Sequence, residues 1–168
     1  MNRLRLGIIL FINLILQTAL VSRLPVAGAQ VNLSIPLTVN IGLLLGPIPG
    51  SLCGAIAGLL EDMQTGHALG VRALLYFLIG YVSGSMMRHV NRDDPKPPMA
   101  FAAVGTLFFF FANAFISRIL TVTTGFLLYV KGPIFIEMIL NALIGWVLFH
   151  LLQRVLRVSA CSNLLRWA

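Results

Sequence analysis

The sequence predicts an all-α protein, a polytopic membrane helical bundle of about six transmembrane helices that forms a single integral membrane domain over residues 1–168. Two observations predict this class. The composition is 58% hydrophobic and only 10% charged, and the mean hydropathy is +0.93. A water-soluble domain of this size cannot bury so much apolar surface. The apolar residues also fall into six runs, which are separated by prolines, glycines and charged residues.

The first run, residues 6–21, follows two arginines at positions 3 and 5. It has two interpretations. It is either a retained first span or a signal peptide, because Ala27, Gly28 and Ala29 imitate a small-residue cleavage site. The chain topology downstream is the same in both cases, and the retained span is preferred.

The second and third runs are short and lie close together. Ser34 is a good N-cap for the second run, and Pro36 falls in its first turn, where proline is tolerated. The prolines at 47 and 49 break this run after Gly46, and Pro49 can begin the third helix. Both segments are shorter than the roughly 20 residues of a full span. They therefore predict either two short, tilted spans or a hairpin that re-enters the membrane.

The last three runs are longer and better separated. The fourth covers residues 69–87, the fifth residues 99–122, and the sixth residues 133–152. The segment 88–98 is strongly polar, and its prolines and charges predict a loop.

The basic residues are distributed asymmetrically over six such spans. Positively charged loops mark the cytoplasmic side of a membrane protein, so we expect both termini and the loop 88–98 to be cytoplasmic in the bacterial inner membrane. The same effect accounts for the net charge of +7 without nucleic acid as a partner. One side receives Arg3, Arg5, Arg88, Arg92, Lys96, Arg154, Arg157 and Arg166, whereas the other receives Arg23 and Lys131, with Arg72 and Arg118 near its boundary.

Glycines at a spacing of four mark the third run. Gly50, Gly54 and Gly58 lie along one face of a helix, which lets another helix backbone approach closely. Gly80 and Gly84 form a second pair of this kind in the fourth run. We expect these five glycines to be helix-packing positions.

Two adjacent acids, Glu61 and Asp62, end the third run. Carboxylates at a helix C-terminus oppose the helix dipole, so local stability does not explain them. We expect Asp62 to accept hydrogen bonds from backbone N–H groups between Gly66 and Gly70, or from the Arg72 guanidinium. The alternative is that Asp62 faces water.

Four asparagines lie near the middle of apolar runs: Asn13, Asn40, Asn113 and Asn141. They predict either hydrogen bonds between helices or a polar substrate cavity, and the first reading is preferred because no acid or base accompanies them at that depth. Asn113 and Asn141 have matching depths in the fifth and sixth spans. We expect these two side chains to pair.

Sequence motifs of catalysis and of metal or cofactor binding are missing. The chain has no HExxH, GxSxG or P-loop motif, and its three histidines have no metal-ligand spacing. Its two cysteines do not form a disulfide framework. The sequence therefore predicts no enzyme, no cofactor and no metal.

Residues 54–84 resemble the central signature of the MreD family of rod-shape-determining membrane proteins. The residues that carry the resemblance are Gly58-Leu59, Asp62, Gly66, Leu69-Gly70, Ala73-Leu74 and Gly80-Tyr81. The resemblance implies a non-catalytic scaffold of the cell-elongation (rod) complex, which supports cell shape and peptidoglycan synthesis in the cell wall. The implied partners are MreC, a penicillin-binding transpeptidase, RodA and MreB.

The MreD architecture is also similar to that of the S components of energy-coupling-factor transporters. This similarity gives the alternative function, a membrane subunit that binds a small molecule of the vitamin type. Such a subunit should place several polar and aromatic residues on facing helices in one pocket, whereas Asn113 and Asn141 are the obvious facing pair in the sequence. The scaffold reading is therefore preferred at this stage.

Overall fold

The computed structural model describes residues 3–18, 31–65, 70–89, 94–120 and 133–160. These residues form six α-helices, and a 3₁₀ turn at Met86–Arg88 follows the fourth. The predicted all-α class is thus confirmed. The helices are α1 (Arg3–Leu16), α2 (Ser34–Leu45), α3 (Pro47–Thr65), α4 (Val71–Ser85), α5 (Lys96–Leu120) and α6 (Pro133–Ala160).

Helix α2 is the centre of the bundle. It has 12 residues, about 18 Å of helix, and ten of them are buried. It packs against α3, α4, α5 and α6. Because it is apolar on all sides, its sequence shows no amphipathic face, as expected for a helix that touches protein all round.

A single residue, Gly46, connects α2 to α3. Its φ of 106° lies in the left-handed region that glycine adopts without strain, and its N–H donates to the Gly42 carbonyl at 2.8 Å. The chain therefore reverses within one residue, and α2 and α3 run antiparallel.

Glycines bring the backbones of α2, α3 and α4 together. A Cβ atom added to Gly50 would lie 2.6 Å from the Cα of Gly42, and one added to Gly58 would lie 2.6 Å from the Cα of Ala73. Gly54 meets the Tyr76 backbone in the same way, Gly80 meets Gly50, and Gly84 meets Pro47. All five glycines of the sequence prediction thus lie at helix contacts that leave no room for a side chain.

Helices α5 and α6 form an antiparallel pair. A Cβ atom on Gly145 would lie 3.2 Å from the Ala102 Cβ, and Asn141 bonds to Thr106 one turn away. Both helices contain stretches long and apolar enough to cross a membrane, Lys96–Ile116 and Ile134–Arg154, each with mean hydropathy 2.0.

Several helix bounds differ from the sequence prediction. Helix α5 begins at Lys96, inside the segment expected to be a loop, because Pro97 and Pro98 fall in its first turn and need no intrahelical N–H bond there. Helix α6 continues from Leu152 to Ala160. The interpretation of residues 19–30, including the possible cleavage site, lies outside the described residues.

Candidate functional site

One end of the bundle collects most of its buried polar side chains. Helices α1 and α3 end there and α2, α4 and α6 begin there, since each helix runs antiparallel to the next. We call it the polar end. Seven buried polar side chains and the partly exposed Arg72 form a connected group, which we call the polar network: Asn13, Asn32, Ser34, Glu61, Arg72, Tyr76, Thr106 and Asn141.

Glu61 is the central acceptor of the polar network. It is 3% exposed, and its carboxylate accepts hydrogen bonds from the hydroxyls of Ser34 and Tyr76, the latter at 2.9 Å. The Arg72 guanidinium lies 3.5 Å from the same carboxylate. An ionised carboxylate inside an apolar bundle is stable only with such partners. Glu61 therefore lies inside the bundle rather than at its surface.

Asn32 joins the two halves of the polar network. Its side-chain amide donates to the Tyr76 hydroxyl, and its backbone N–H donates to the side-chain oxygen Oδ1 of Asn141 at 3.2 Å. Asn141, which is fully buried, donates in turn to the Thr106 hydroxyl at 3.0 Å. Asn13 adds α1 by donating to Ser34 at 2.8 Å. The polar network therefore contains a side chain from each of the six helices.

The Asn32 side chain also caps the start of α2. The Asn32 side-chain oxygen accepts from the backbone N–H of Ser34 at 2.9 Å and from that of Ile35 at 3.4 Å. Asn32 therefore performs the capping role that the sequence assigned to Ser34. The Ser34 hydroxyl is consequently available to donate to Glu61.

Asp62 organises the turn between α3 and α4. It is 1% exposed, and one carboxylate oxygen accepts the backbone N–H groups of Gly70 at 2.9 Å and Arg72 at 3.1 Å. The Arg72 guanidinium lies 3.8 Å from its other oxygen. Gly70 has a φ of 98°, in the left-handed region that glycine adopts without strain. Gly66 and Leu69 lie outside the described residues.

The expected pairing of Asn113 with Asn141 is absent from the described residues. Asn141 bonds to Thr106 and Asn32, and Asn113 is only partly buried. The reason is the register of α5 against α6. Since Asn141 lies beside Thr106, Asn113 lies two turns farther along α5, about 10 Å away. The sequence prediction measured the depth of Asn113 from the end of its apolar run. That measure placed Asn113 level with Asn141 because it did not include the offset between α5 and α6 along their axes.

The sequence analysis missed Asn32, Tyr76 and Thr106 as site residues. A signal for Asn32 and Tyr76 was available. In an antiparallel bundle the ends of the first and third apolar runs lie on the same side as the starts of the second and fourth, and polar residues recur at these positions. Thr106 offers no such signal, because it lies inside a run and a threonine there commonly bonds to its own helix, as it also does to Ala102 at 2.8 Å.

A concave feature lies away from the polar network. It is an apolar groove of about 180 Å³ between α2, α4 and α5. Its walls include Val39, Ile79, Val82, Phe101 and Phe108. The described residues contain no group of His, Cys, Asp and Glu side chains that could hold a metal ion. The polar network is therefore the stronger candidate for a functional site, because it holds the hydrogen-bonding groups that recognise a ligand.

A predominantly apolar bundle of six helices, with a polar network enclosed at one end, defines the chain as a polytopic membrane protein. A family comparison gives the particular family. The chain belongs to the ECF-type riboflavin transporter S component family, whose model matches residues 4–158. Members of this family are membrane subunits of bacterial transporters. The comparisons with curated proteins and with solved structures found no match.

This match overturns the MreD assignment and the rod-complex function derived from it. The partners that came with it, MreC, the transpeptidase, RodA and MreB, are withdrawn for the same reason. The residues that carried the resemblance have structural roles here: Gly58 packs against α4, and Asp62 caps it. Any small membrane bundle can use close-packed glycines and a capped turn, so these features do not distinguish a scaffold from a transporter subunit.

Proposed function

We propose that this protein is the riboflavin-binding subunit of an energy-coupling-factor transporter. In this proposal the chain is a single integral membrane domain over residues 1–168 that performs no catalysis. It captures riboflavin at the polar end and releases it toward the cytoplasm. The observation that carries the proposal is the polar network, a connected set of donors and acceptors inside an apolar bundle of this family.

The chemistry of the polar end suits an uncharged, polar ligand. Asn32 and Asn141 offer amides, and Tyr76 and Thr106 offer hydroxyls, so donors and acceptors are both present. Tyr76 also packs against Phe109, with ring centroids 5.3 Å apart, which gives an aromatic surface next to the polar groups. Riboflavin has the matching parts, a flat aromatic ring system with polar edges and a hydroxylated chain. A ligand that satisfies buried polar groups is strongly preferred over an analogue that leaves them unpaired.

The positive charges support an orientation of the bundle in the membrane. Helix α1 begins, α4 ends and α5 begins at the end opposite the polar end, where Arg88 and Lys96 lie. We propose that this basic end is cytoplasmic in the bacterial inner membrane and that the polar end faces outward. Riboflavin would then bind from outside. The family name places the S component within an energy-coupling-factor transporter, so we propose that the partners are its ATPases and its transmembrane T component.

Riboflavin binding to the purified full-length protein tests the proposal. Riboflavin is fluorescent, so its titration with the protein in detergent should give saturable quenching with about one site per chain. Thiamine and biotin, added as competitors, should leave the signal unchanged. The absence of saturable quenching by a monodisperse, helical preparation would refute the proposal.

A further inference from the structure

Glu137 is a buried acid without a partner. Its exposure is 9%, yet its carboxylate makes no hydrogen bond or ion pair with the residues that the structure describes. The contrast with the two other buried acids is clear, since Glu61 and Asp62 each accept two or more hydrogen bonds. Glu137 is the fifth residue of α6, beyond the first turn in which the helix dipole stabilises an anion.

The position of Glu137 is next to the polar network. It lies one turn before Asn141 on the same inward face of α6, at a spacing of four residues. This face also includes Ile134, which is 5% exposed, and Gly145, which contacts α5 and α2. Asn141 is already held by Thr106 and Asn32. Glu137 therefore extends the polar surface of α6 by about 6 Å toward the start of the helix.

We infer that Glu137 is a ligand-binding residue that accepts hydrogen bonds from the hydroxyl groups of the ribityl chain of riboflavin. The inference rests on the proposed function. An ionised carboxylate is an acceptor only, and burying it beside hydrocarbon is unfavourable unless a donor satisfies it. Its two oxygens match two neighbouring hydroxyl donors of a polyol.

The polyol fits Glu137 better than the imide edge of the flavin ring does. That edge presents one N–H donor between two carbonyl acceptors. A carboxylate placed there gains one hydrogen bond but faces two electronegative oxygens, whereas an amide complements the edge without repulsion. The hydroxyl chain therefore belongs at Glu137.

The test compares two flavins on the wild-type protein and three variants. Lumiflavin keeps the ring of riboflavin but carries a methyl group in place of the ribityl chain. Glu137→Gln should weaken riboflavin binding at least tenfold, since a charge-assisted hydrogen bond is replaced by a weaker one, and should change lumiflavin binding by less than twofold. Glu137→Asp, which keeps the charge on a shorter side chain, should lose less affinity for riboflavin. Asp94→Asn, which removes one negative charge at the opposite end, is the matched control and should change neither.

The outcomes separate this inference from the proposed function. If wild-type protein does not bind riboflavin, the function fails and the inference falls with it. If wild-type protein binds riboflavin but Glu137→Gln binds both flavins as wild type does, only the inference fails. An equal loss for both flavins would also overturn it, because Glu137 would then contact the ring or support the fold. Unchanged lumiflavin binding itself reports an intact fold, and Glu137→Asp provides the comparison if the Gln variant does not fold.

Discussion

The Asp62 carboxylate accepts the backbone N–H of Gly70 at 2.9 Å, across the turn that joins α3 to α4. The same oxygen accepts the N–H of Arg72 at 3.1 Å. The first N–H groups of a helix have no partner within the helix, so a carboxylate at this place satisfies donors that would otherwise be lost. The contact fixes the end of one helix against the start of the next.

Replacing Asp62 tests this cap. Asp62→Asn keeps an acceptor and should change stability little, whereas Asp62→Leu leaves two N–H groups unpaired and should cost about 2 kcal/mol. The thermal midpoint of the purified protein in detergent measures the difference. Equal midpoints for the two variants would show that the hydrogen bonds to Asp62 do not stabilise the turn.

Alanine at three glycines should give a graded loss of stability. At Gly58 the added methyl would meet the Ala73 backbone at 2.6 Å, so we expect a loss of about 1–3 kcal/mol through overpacking. At Gly105 it would meet flexible side chains, the nearest at 3.3 Å, and the loss should be smaller. Gly7 is the control, because nothing lies within 4 Å of the added atom. The amount of folded protein that accumulates in cells measures the loss for each variant. Equal accumulation of Gly58→Ala and Gly7→Ala would contradict close packing of α3 on α4.

The two asparagines of α5 and α6 should respond differently to substitution. Asn141→Ala removes the partner of the Asn32 N–H and of the Thr106 hydroxyl, so the thermal midpoint and the affinity for riboflavin should both fall, the latter about tenfold. Asn113→Ala should leave both nearly unchanged, because Asn113 is partly exposed and bonds to no described residue. Equal effects of the two substitutions would argue against the register of α5 and α6 described above.

Reporter fusions test the proposed orientation. Fusions after Arg92 and after Arg166 should both report a cytoplasmic location, because these positions follow the basic end of the bundle. A cysteine introduced at position 131 should instead react with a membrane-impermeant thiol reagent in intact spheroplasts. A periplasmic reporter signal after Arg92 would reverse the bundle and move the polar end to the cytoplasm.

The sequence predicted the helices well, because hydropathy and proline positions identify a helix from residues that are close together in the chain. It also identified glycines that the structure places at helix contacts, because a spacing of four converts directly into one face of a helix. The polar network was harder to predict. Its contacts join residues as distant as Asn32 and Asn141, and hydropathy gives no information about helix register. Asn113 was placed wrongly for that reason.

The family was missed for a different reason. The conspicuous features of the sequence, the glycine repeat and the acid Asp62, lie at the contact between α3 and α4, which any helical bundle can use. The polar network is made of side chains that show no motif in the sequence, such as Tyr76 and Thr106. They are brought together only when the helices pack.

The bonds between α2 and α6 have a consequence for biogenesis. Asn40 of α2 donates to the Gly145 carbonyl, and the backbone N–H of Asn32, just before α2, donates to the Asn141 side chain, so both hydrogen bonds depend on a helix made more than a hundred residues later. At about 5–20 residues per second, a ribosome needs roughly 5–20 s to supply it. During that interval the Asn40 amide keeps its hydrogen bond to Pro36 within α2, whereas the Asn32 backbone N–H lacks its α6 partner. Truncation within α6 should therefore leave the centre of the bundle incompletely packed and make the chain more susceptible to membrane proteases.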